Sequence, residues 1–375
     1  MKYYIIAGEA SGDLHGSNLI KEIKNVDSNA QFRVWGGDKM QAAGATLVKH
    51  YKNHSIMGIV PVIMNLRTIK ANFKFCFKDI SEYKPDAVIF IDYSGFNLRV
   101  AKMIKPLGMK LFYYVSPQVW AWRKNRVKKI KVLIDKLFSI LPFEKEFYKN
   151  YGVDVDYVGH PLLDSIKQFK ESESLSLDDF KAKNTLSDKP IIAILPGSRM
   201  QEIKEKLPEM LSVVKDYPNY QFLIAAAPSL EESYYQQFIP EGTDVKLLFN
   251  QTYNILEHAT AALVTSGTAT LETALFNVPE VVCYRGNKAT YYVVKYLVSI
   301  KFISIVNLIM DKLVVKELIQ DDLNYTNIKF ELDKILFDSN YIAQINADYS
   351  LLATKLGGQG ASRRAAEGIF KELSC

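Results

Sequence analysis

The sequence predicts an α/β protein built from two successive parallel sheets. Short apolar segments alternate with helical patterns along most of the 375 residues. Each apolar segment ends in a Gly, Pro or polar turn, as buried parallel strands do. The alternation lapses once, in a charged run, and then resumes. We therefore expect two domains with a crevice between them, at 1–166 and 190–350, with a linker at 167–189 and a terminal helix at 351–375.

The elements can be placed in chain order. The predicted strands lie at 3–7, 32–35, 87–91, 111–115 and 136–141 in the first domain, and at 190–195, 221–227, 245–249, 261–264 and 281–284 in the second. Helical patterns fill the intervals, and the last helix breaks at Gly357 and Gly358. In parallel sheets ligands bind beyond the carboxyl ends of the strands. The residues directly after these segments are therefore the candidate binding and catalytic residues.

The composition is that of an ordinary globular protein. Apolar residues make up 48% and charged residues 23%, which excludes disordered, collagen-like and small disulfide-stapled classes. The net charge of +6 is too small to imply nucleic-acid binding by itself. Cys76, Cys283 and Cys375 are far apart in the sequence, so they indicate neither a zinc pattern nor a disulfide framework. This favours a reducing compartment, the cytosol.

No segment predicts export or a membrane span. The apolar run at 3–7 is too short for a secretory signal. The longest apolar region, at 291–310, is interrupted by Lys295 and Lys301 and falls short of the roughly 20 apolar residues that a span needs. Any membrane contact is therefore expected to be peripheral.

The turn after the first strand is a candidate binding turn, and it contains Gly8, Glu9, Ser11 and Gly12. Backbone N–H groups and the helix dipole at such a turn would receive an anion or a sugar. The pattern matches neither the dinucleotide-binding glycine fingerprint nor a P-loop. The alternative is an ordinary tight turn with Asp13 near the helix start.

Two further residues of the first domain follow predicted strands or turns. Asp92 comes directly after the apolar segment 87–91, where a carboxylate would act as general base on a hydroxyl. A solvated turn aspartate is the alternative. His160, in Gly-His-Pro, would bind a ligand or fill a turn between the lobes.

Two turns of the second domain have features of phosphate-binding turns. The string Leu-Pro-Gly-Ser-Arg at 195–199 places Ser198 and Arg199 at a helix start. There the arginine would pair with a phosphate and offset the charge on a leaving group, although a surface arginine at a turn is the commoner case. In the later turn, Gly267 would let the backbone approach a pyrophosphate. Glu272 would accept ribose hydroxyls or be an ordinary glutamate favoured by the helix dipole.

No metal site is predicted. Among the five histidines, only His50 and His54 are close in sequence, and no zinc-protease glutamate accompanies them. Asp154 and Asp156 match a metal-binding Asp-x-Asp pair, but the flanking residues alternate as in a strand. We expect two exposed carboxylates there.

Two basic segments of the first domain are candidates for an anionic surface. The first borders the apolar face of a helix predicted at 62–80 and consists of Arg67, Lys70, Lys74 and Lys78. It would adsorb to anionic lipid or form a solvated flank. The second segment, at 123–131, begins at Arg123 and follows Trp120 and Trp122. Tryptophans beside cations suit a bilayer interface, and nucleic-acid or phosphate contacts are the alternatives.

Seven sequence strings occur in order along nearly the whole chain. They are Ala-Gly-Glu-Ala-Ser-Gly-Asp at 7–13, Met-Gly-Ile-Val at 57–60, Tyr-Val-Ser-Pro-Gln-Val-Trp-Ala-Trp-Arg at 114–123, Leu-Pro-Phe-Glu-Lys at 141–145, Leu-Pro-Gly-Ser-Arg at 195–199, Ser-Gly-Thr at 266–268 and Val-Lys-Glu-Leu-Ile-Gln at 315–320. With these strings the chain resembles the lipid-A-disaccharide synthase family, which are bacterial glycosyltransferases of the GT-B fold. The resemblance implies two Rossmann-like lobes that face a central cleft, with the acceptor in the first and the nucleotide sugar in the second.

The resemblance also implies a reaction. The family joins UDP-2,3-diacylglucosamine to 2,3-diacylglucosamine 1-phosphate through a β-1,6 bond and releases UDP, with inversion and without a metal or other cofactor. This step belongs to lipid A and lipopolysaccharide biosynthesis. The implied partners are the two acylated sugars and the anionic cytoplasmic face of the inner membrane, with no nucleic acid. The sequence leaves a homo-oligomer open.

The site residues follow from the same resemblance. Asp92 matches the general base, and Arg199 matches the arginine that counters charge on the departing diphosphate. The implied nucleotide-binding residues are Ser266, Gly267, Thr268, Glu272 and Asn307. Where the family often has Asp-x-Pro-Asp-Phe-Asn, this chain has Gly95 in place of the second aspartate, so the assignment depends on Asp92 being the base.

Two other functions stay open at this point. A UDP-sugar epimerase of the same architecture would cleave and re-add UDP without an acceptor, and it would need no lipid-facing helix. A non-catalytic membrane-surface or nucleic-acid-binding protein would use the basic run at 123–131. This last alternative predicts that the Asp92 carboxylate is dispensable.

Overall fold

The computed structural model describes residues 1–53, 66–117, 119–122, 125–286 and 301–374. The chain forms two compact units, one of Met1–Asp164 with Gly357–Cys375 and one of Ser165–Leu356. Each unit contains one sheet whose recorded strand pairs are all parallel. The α/β class with two parallel sheets, predicted from the sequence, is confirmed.

The first unit has a seven-stranded sheet in the order β3-β2-β1-β4-β5-β6-β7. Its strands are β1 Lys2–Ala7, β2 Gln31–Gly36, β3 Thr46–His50, β4 Ala87–Ile91, β5 Lys110–Tyr114, β6 Lys136–Ser139 and β7 Val155–Tyr157. The central strands β1 and β4 are almost entirely buried. This explains why they are continuous apolar runs and do not alternate with polar residues.

The helices of the first unit connect these strands. They are α1 Ala10–Val26, α2 Asp38–Ala42, α3 Leu66–Tyr83, α4 Ser94–Ile104, α5 Val119–Trp122, α6 Arg126–Leu133, α7 Glu144–Lys149 and, at the end of the chain, α17 Ala361–Ser374. Helix α8, Leu162–Ser172, begins in this unit and continues into the second.

The last helix of the chain belongs to the first unit. Helix α17 packs against α1, and the Ser362 and Tyr114 hydroxyls lie 3.2 Å apart in the interior. Gly360 N–H donates to Asp164 at 2.5 Å. The preceding helix ends at Leu356, so the predicted break at Gly357 and Gly358 is where the chain returns to the first unit.

The second unit has a six-stranded sheet in the order β10-β9-β8-β11-β12-β13. Its strands are β8 Ile191–Leu195, β9 Gln221–Ala226, β10 Val245–Phe249, β11 Ala259–Thr265, β12 Glu280–Tyr284 and β13 Lys316–Ile319. Its remaining helices are α9 Leu177–Asn184, α10 Met200–Leu211, α11 Glu232–Gln236, α12 Thr252–His258, α13 Thr268–Leu275, α14 Ile305–Met310, α15 Tyr325–Phe337 and α16 Ser339–Leu356.

The run at 167–189, predicted as a linker, is instead largely helical and lies within the second unit. Helix α9 is capped by the Ser176 hydroxyl, which accepts a hydrogen bond from Asp179 N–H at 3.2 Å. Phe180 is fully buried in the core of this unit. A single apolar residue anchors this polar helix, which is why the composition around it indicates a linker.

Two expectations about whole-chain chemistry concern the described residues. None of the described helices is long and apolar enough to cross a membrane. Cys76 and Cys283 are buried free thiols. Cys375 lies outside the described residues.

Candidate active site

In the first unit, sheet order brings two turns side by side. Strands β1 and β4 are parallel neighbours, with Ala7 opposite Ile91. The residues that follow them, Gly8 with Glu9 and Asp92 with Tyr93, therefore lie next to each other at the carboxyl edge of the sheet.

The backbone at Asp92 is held in a strained conformation. Asp92 and Tyr93 have φ values of 42° and 45°, in the left-handed region that residues other than glycine rarely adopt. The Asp92 carbonyl accepts hydrogen bonds from the Tyr113 hydroxyl and from Asn97 Nδ2, the latter at 2.8 Å. Asp92 N–H donates to Val115 O at 3.2 Å. These contacts fix the Asp92 backbone and therefore the point from which the side chain projects.

Aromatic packing supports the same turn. The Tyr93 ring stacks on Phe96 with 5.3 Å between ring centroids, and it lies so close to Gly8 that a Cβ there would overlap the ring. Gly8 is therefore required for packing as much as for any ligand contact. At Gly95, in contrast, a Cβ would meet no atom within 4 Å, so the family's second aspartate would fit this backbone.

The environment of Asp92 favours its neutral form. Burial, followed by the nearby Glu9 carboxylate, raises the pKa of Asp92 to about 6, against an opposing hydrogen bond with the Tyr93 backbone. The residue nevertheless has an exposed surface, so solvent offsets part of this effect. A carboxylate that is accessible and more basic than usual has the properties of a general base near neutral pH.

The remaining residues of the first turn lie at the start of α1. Ser11 and Gly12 lie inside the first turn of α1, which begins at Ala10, and Gly12 is buried against Ala7. Asp13 accepts hydrogen bonds from three backbone N–H groups at the start of α2, at 2.7, 3.0 and 3.1 Å. Asp13 thus caps α2, in agreement with the turn alternative for that residue.

In the second unit, β8 and β11 are parallel neighbours with Leu195 opposite Val264. The turn after β8 contains Ser198 and Arg199, and it is closed by Glu202 from α10. One oxygen of Glu202 accepts from Ser198 N–H at 3.3 Å, and the other pairs with Arg199 Nη1 at 3.0 Å. Both predicted phosphate-binding residues, Ser198 and Arg199, therefore contact the same carboxylate, that of Glu202.

The turn after β11 lies beside it and has the backbone predicted for it. Gly267 has φ of 137°, a value that only glycine adopts without strain, and Thr268 begins α13. The Ser266 hydroxyl donates to Ile303 O at 2.9 Å. Glu272, one turn into α13, accepts a hydrogen bond from the Tyr253 hydroxyl at 3.0 Å, and burial raises its pKa.

Asn307, which the resemblance implies lies near the nucleotide, is held by hydrogen bonds within the second unit. Its side chain is fully buried, donates to Val315 O and Glu317 Oε1, each at 2.9 Å, and accepts from Val314 and Val315 N–H at 2.8 and 3.0 Å. All four hydrogen-bonding positions of the amide are occupied. In this conformation it joins α14 to β13.

His160 is an interior residue. It is 3% exposed, its Nδ1 accepts from Leu162 N–H at 3.2 Å, and burial together with nearby His15 lowers its pKa to about 3. The packing alternative for this histidine agrees with the structure.

The basic residues of α3 lie on its surface. Arg67, Lys70, Lys74 and Lys78 are all exposed, and so is Phe75 beside them. Trp120 is half-buried: its indole N–H donates to buried Glu144 at 3.1 Å and its ring packs edge-on against Phe143. The side chain of Trp122, together with Arg123, lies outside the described residues.

Asp154 and Asp156, which match a metal-binding Asp-x-Asp pair, share a lysine as their partner. Both form ion pairs with Lys136, at 3.0 and 3.1 Å, from an exposed edge of the sheet. Within the described ranges, no group of three or more His, Cys, Asp and Glu side chains is arranged to hold a metal ion.

Several residues that hold these turns are not among the candidates predicted from the sequence. Asn97 and Tyr113 hold the Asp92 carbonyl, Glu202 holds Arg199, and Tyr253 holds Glu272. Asn97 and Glu202 have a detectable signal, since each follows its turn within five residues. Tyr113 and Tyr253 act across the fold, and their positions become clear only from the strand order.

Comparison with solved structures identifies the class. The chain resembles UDP-GlcNAc 2-epimerase from Neisseria meningitidis, with TM-score 0.70, 14% identity and coverage of 99% of this chain and 100% of the other. It also resembles the calicheamicin glycosyltransferase CalG4, with TM-score 0.62, 13% identity and coverage of 100% and 98%. The fold is therefore that of GT-B glycosyltransferases and the related epimerases.

Sequence comparison then gives the family. A family model described as lipid-A-disaccharide synthetase matches residues 3–371. Lipid-A-disaccharide synthase of Geobacter metallireducens is 38% identical over 98% of this chain and 96% of that protein. The chain belongs to the lipid-A-disaccharide synthetase family, glycosyltransferases that form the lipid A disaccharide.

Proposed function

We propose that the protein transfers 2,3-diacylglucosamine from UDP to the 6-hydroxyl of 2,3-diacylglucosamine 1-phosphate, with inversion. The acceptor oxygen attacks the anomeric carbon and forms the β-1,6 bond, while the bond from that carbon to the diphosphate oxygen breaks. The hydroxyl proton passes to a base, and UDP leaves with the bonding electrons. Asp92 carries this proposal, because it is an accessible carboxylate with a raised pKa on a rigid turn.

A single displacement requires one base and one group that accommodates the leaving charge. We assign the base to Asp92 and the second role to Arg199, whose guanidinium lies at a turn suited to phosphate. The Ser266, Gly267 and Thr268 turn would seat the diphosphate, and Glu272 the ribose. With cationic side chains in this role, the proposed reaction uses neither a metal nor a cofactor.

The direct test is an assay of UDP release with both acylated sugars in detergent micelles. We expect UDP and a tetraacyl disaccharide 1-phosphate only when donor and acceptor are both present, and equal rates with and without EDTA. Conversion of the UDP-sugar donor in the absence of acceptor would indicate an epimerase. Failure to release UDP with either mixture would contradict the proposal.

We also propose that α3 rests on the anionic cytoplasmic face of the inner membrane. Its exposed cations, with Phe75 46% exposed among them, combine charge with an apolar contact, as interfacial helices do. The acyl chains of both proposed substrates require access to such a surface.

Sedimentation with anionic vesicles tests the membrane proposal. Replacing Arg67, Lys70, Lys74 and Lys78 by Gln is expected to weaken binding at least tenfold, since each cation near an anionic surface contributes about 1 kcal/mol. The matched control has four exposed lysines of the second unit replaced by Gln, namely Lys204, Lys215, Lys246 and Lys355. Equal binding by the two variants would show that α3 is not the contact.

A further inference from the structure

Helix α10 carries a buried lysine behind the two phosphate-type turns of the second unit. Lys206 is only 3% exposed, whereas Lys204 on the same helix is exposed and the three glutamates of α10 are half-buried. Lysine is rarely buried to this extent without a counter-charge. Its position therefore requires a physical explanation.

The ammonium group of Lys206 contacts the end of β11. Its Nζ donates to Thr265 Oγ1 at 2.5 Å, in the interior of the unit. Thr265 is the last residue of β11 and directly precedes Ser266, and its register partner on β12 is Cys283. The ammonium thus contacts the residue that directly precedes the turn formed by Ser266, Gly267 and Thr268.

The partner of this ammonium is neutral. Among the described residues, Lys206 forms no ion pair, and the Thr265 hydroxyl is its hydrogen-bond acceptor. Burial lowers the pKa of Lys206, whereas Glu202, Cys283 and Glu205 act in the opposite direction. A buried charge with only a hydroxyl for a partner reduces stability unless an anion approaches it.

Sheet topology places the two turns next to each other. Strands β8 and β11 are neighbours, so the Arg199 turn and the Ser266 turn share one edge of the sheet. An anion bound at that edge would contact the Arg199 guanidinium directly. It would also lie in the electrostatic field of the buried Lys206 ammonium. In a low-dielectric interior that field is weakly screened.

We propose that Lys206 is a positioning residue for the donor diphosphate: through Thr265 it fixes the Ser266–Gly267–Thr268 turn and supplies the buried positive charge that a bound diphosphate neutralises. The proposal rests on the proposed function, in which this turn binds UDP. It goes beyond it by assigning a role to a lysine that makes no contact with the substrate.

Calorimetric titration with UDP and with uridine tests the proposal, because the ratio of the two affinities isolates the diphosphate. In Lys206→Met, a variant of similar length without the charge, we expect this ratio to fall roughly tenfold. The melting temperature is expected to stay equal or to rise, because a desolvated charge has been removed. Lys204→Met, which removes the same charge from the exposed face of α10, should change the ratio less than about twofold.

The outcomes separate the inference from the function on which it rests. An unchanged ratio in Lys206→Met would overturn the inference and leave the proposed function standing, as would equal losses for UDP and uridine. Absence of UDP binding by the unaltered protein would overturn both. If Lys206→Met does not fold, Thr265→Val carries the test: it removes the hydroxyl partner at similar volume, and we expect it to lower the ratio severalfold. An unchanged ratio in that variant would likewise overturn the inference.

Discussion

Replacing Asp92 by Asn is expected to lower kcat by about two to four orders of magnitude. The variant removes the proton acceptor but keeps the size and shape of the side chain. Asn is also among the residues best tolerated at positive φ, and Asp92 has φ of 42°, so the turn should persist. UDP release measured with saturating donor and acceptor reports this loss.

The pH dependence of the unaltered enzyme belongs to the same prediction. Because the base must be ionised, kcat/KM should fall as the pH drops through about 6, the raised pKa of Asp92.

The stability of the folded protein should change with pH in the opposite direction from kcat/KM. The folded state holds the Asp92 proton more tightly than the unfolded chain, so this residue makes the protein less stable as pH rises from about 4 to about 6. At pH 7.5 the Asn variant should therefore be at least as stable as the unaltered protein.

Asp156→Asn is the matched control for this substitution. It removes an exposed carboxylate of the same unit, 52% exposed and paired with Lys136, and it should leave kcat within about twofold. An Asp92→Asn enzyme that retains full activity, or one that loses activity only because it unfolds, would exclude Asp92 as the base.

Replacing Arg199 by Gln is expected to lower kcat by about two to three orders of magnitude, the usual effect of removing a group that stabilises transition-state charge. Arg199→Lys keeps the charge but lacks the planar fork that binds two oxygens, so an intermediate loss is expected. Arg199 is exposed and its Glu202 partner lies on the surface, so thermal unfolding should change little. Lys204→Gln provides a control on the helix that follows Arg199, and an equal loss of kcat in that control would exclude a specific role for Arg199.

The sequence predicts the sheets well because the strands that form them are buried on both faces. Strand β4 is apolar at all five positions, and a polar turn follows it, so both the strand and the candidate base at Asp92 can be found from a local pattern. The two turns of the second unit that have features of phosphate-binding turns also follow buried strands, so they can be found from the same local pattern.

The remaining features depend on contacts between distant residues. Helix α9 appears as a linker because only Phe180 anchors it, and composition does not reveal one buried ring. Asn307 shows no local sign that Val314, Val315 and Glu317 occupy its amide. Helical periodicity places Lys206 on the buried face of α10 with Ile203 and Met210, but its contact with Thr265 is not apparent from the sequence.

The return of the chain to the first unit has a consequence for protein engineering. The second unit is in effect an insertion between Asp164 and Gly357, and α17 completes the interior of the first unit through Ser362 and Tyr114. A fragment that stops after the first sheet would lack this helix and leave that interior open. Exchange of the second unit between relatives therefore calls for two junctions, at 164/165 and 356/357, so that α17 stays with the unit it completes.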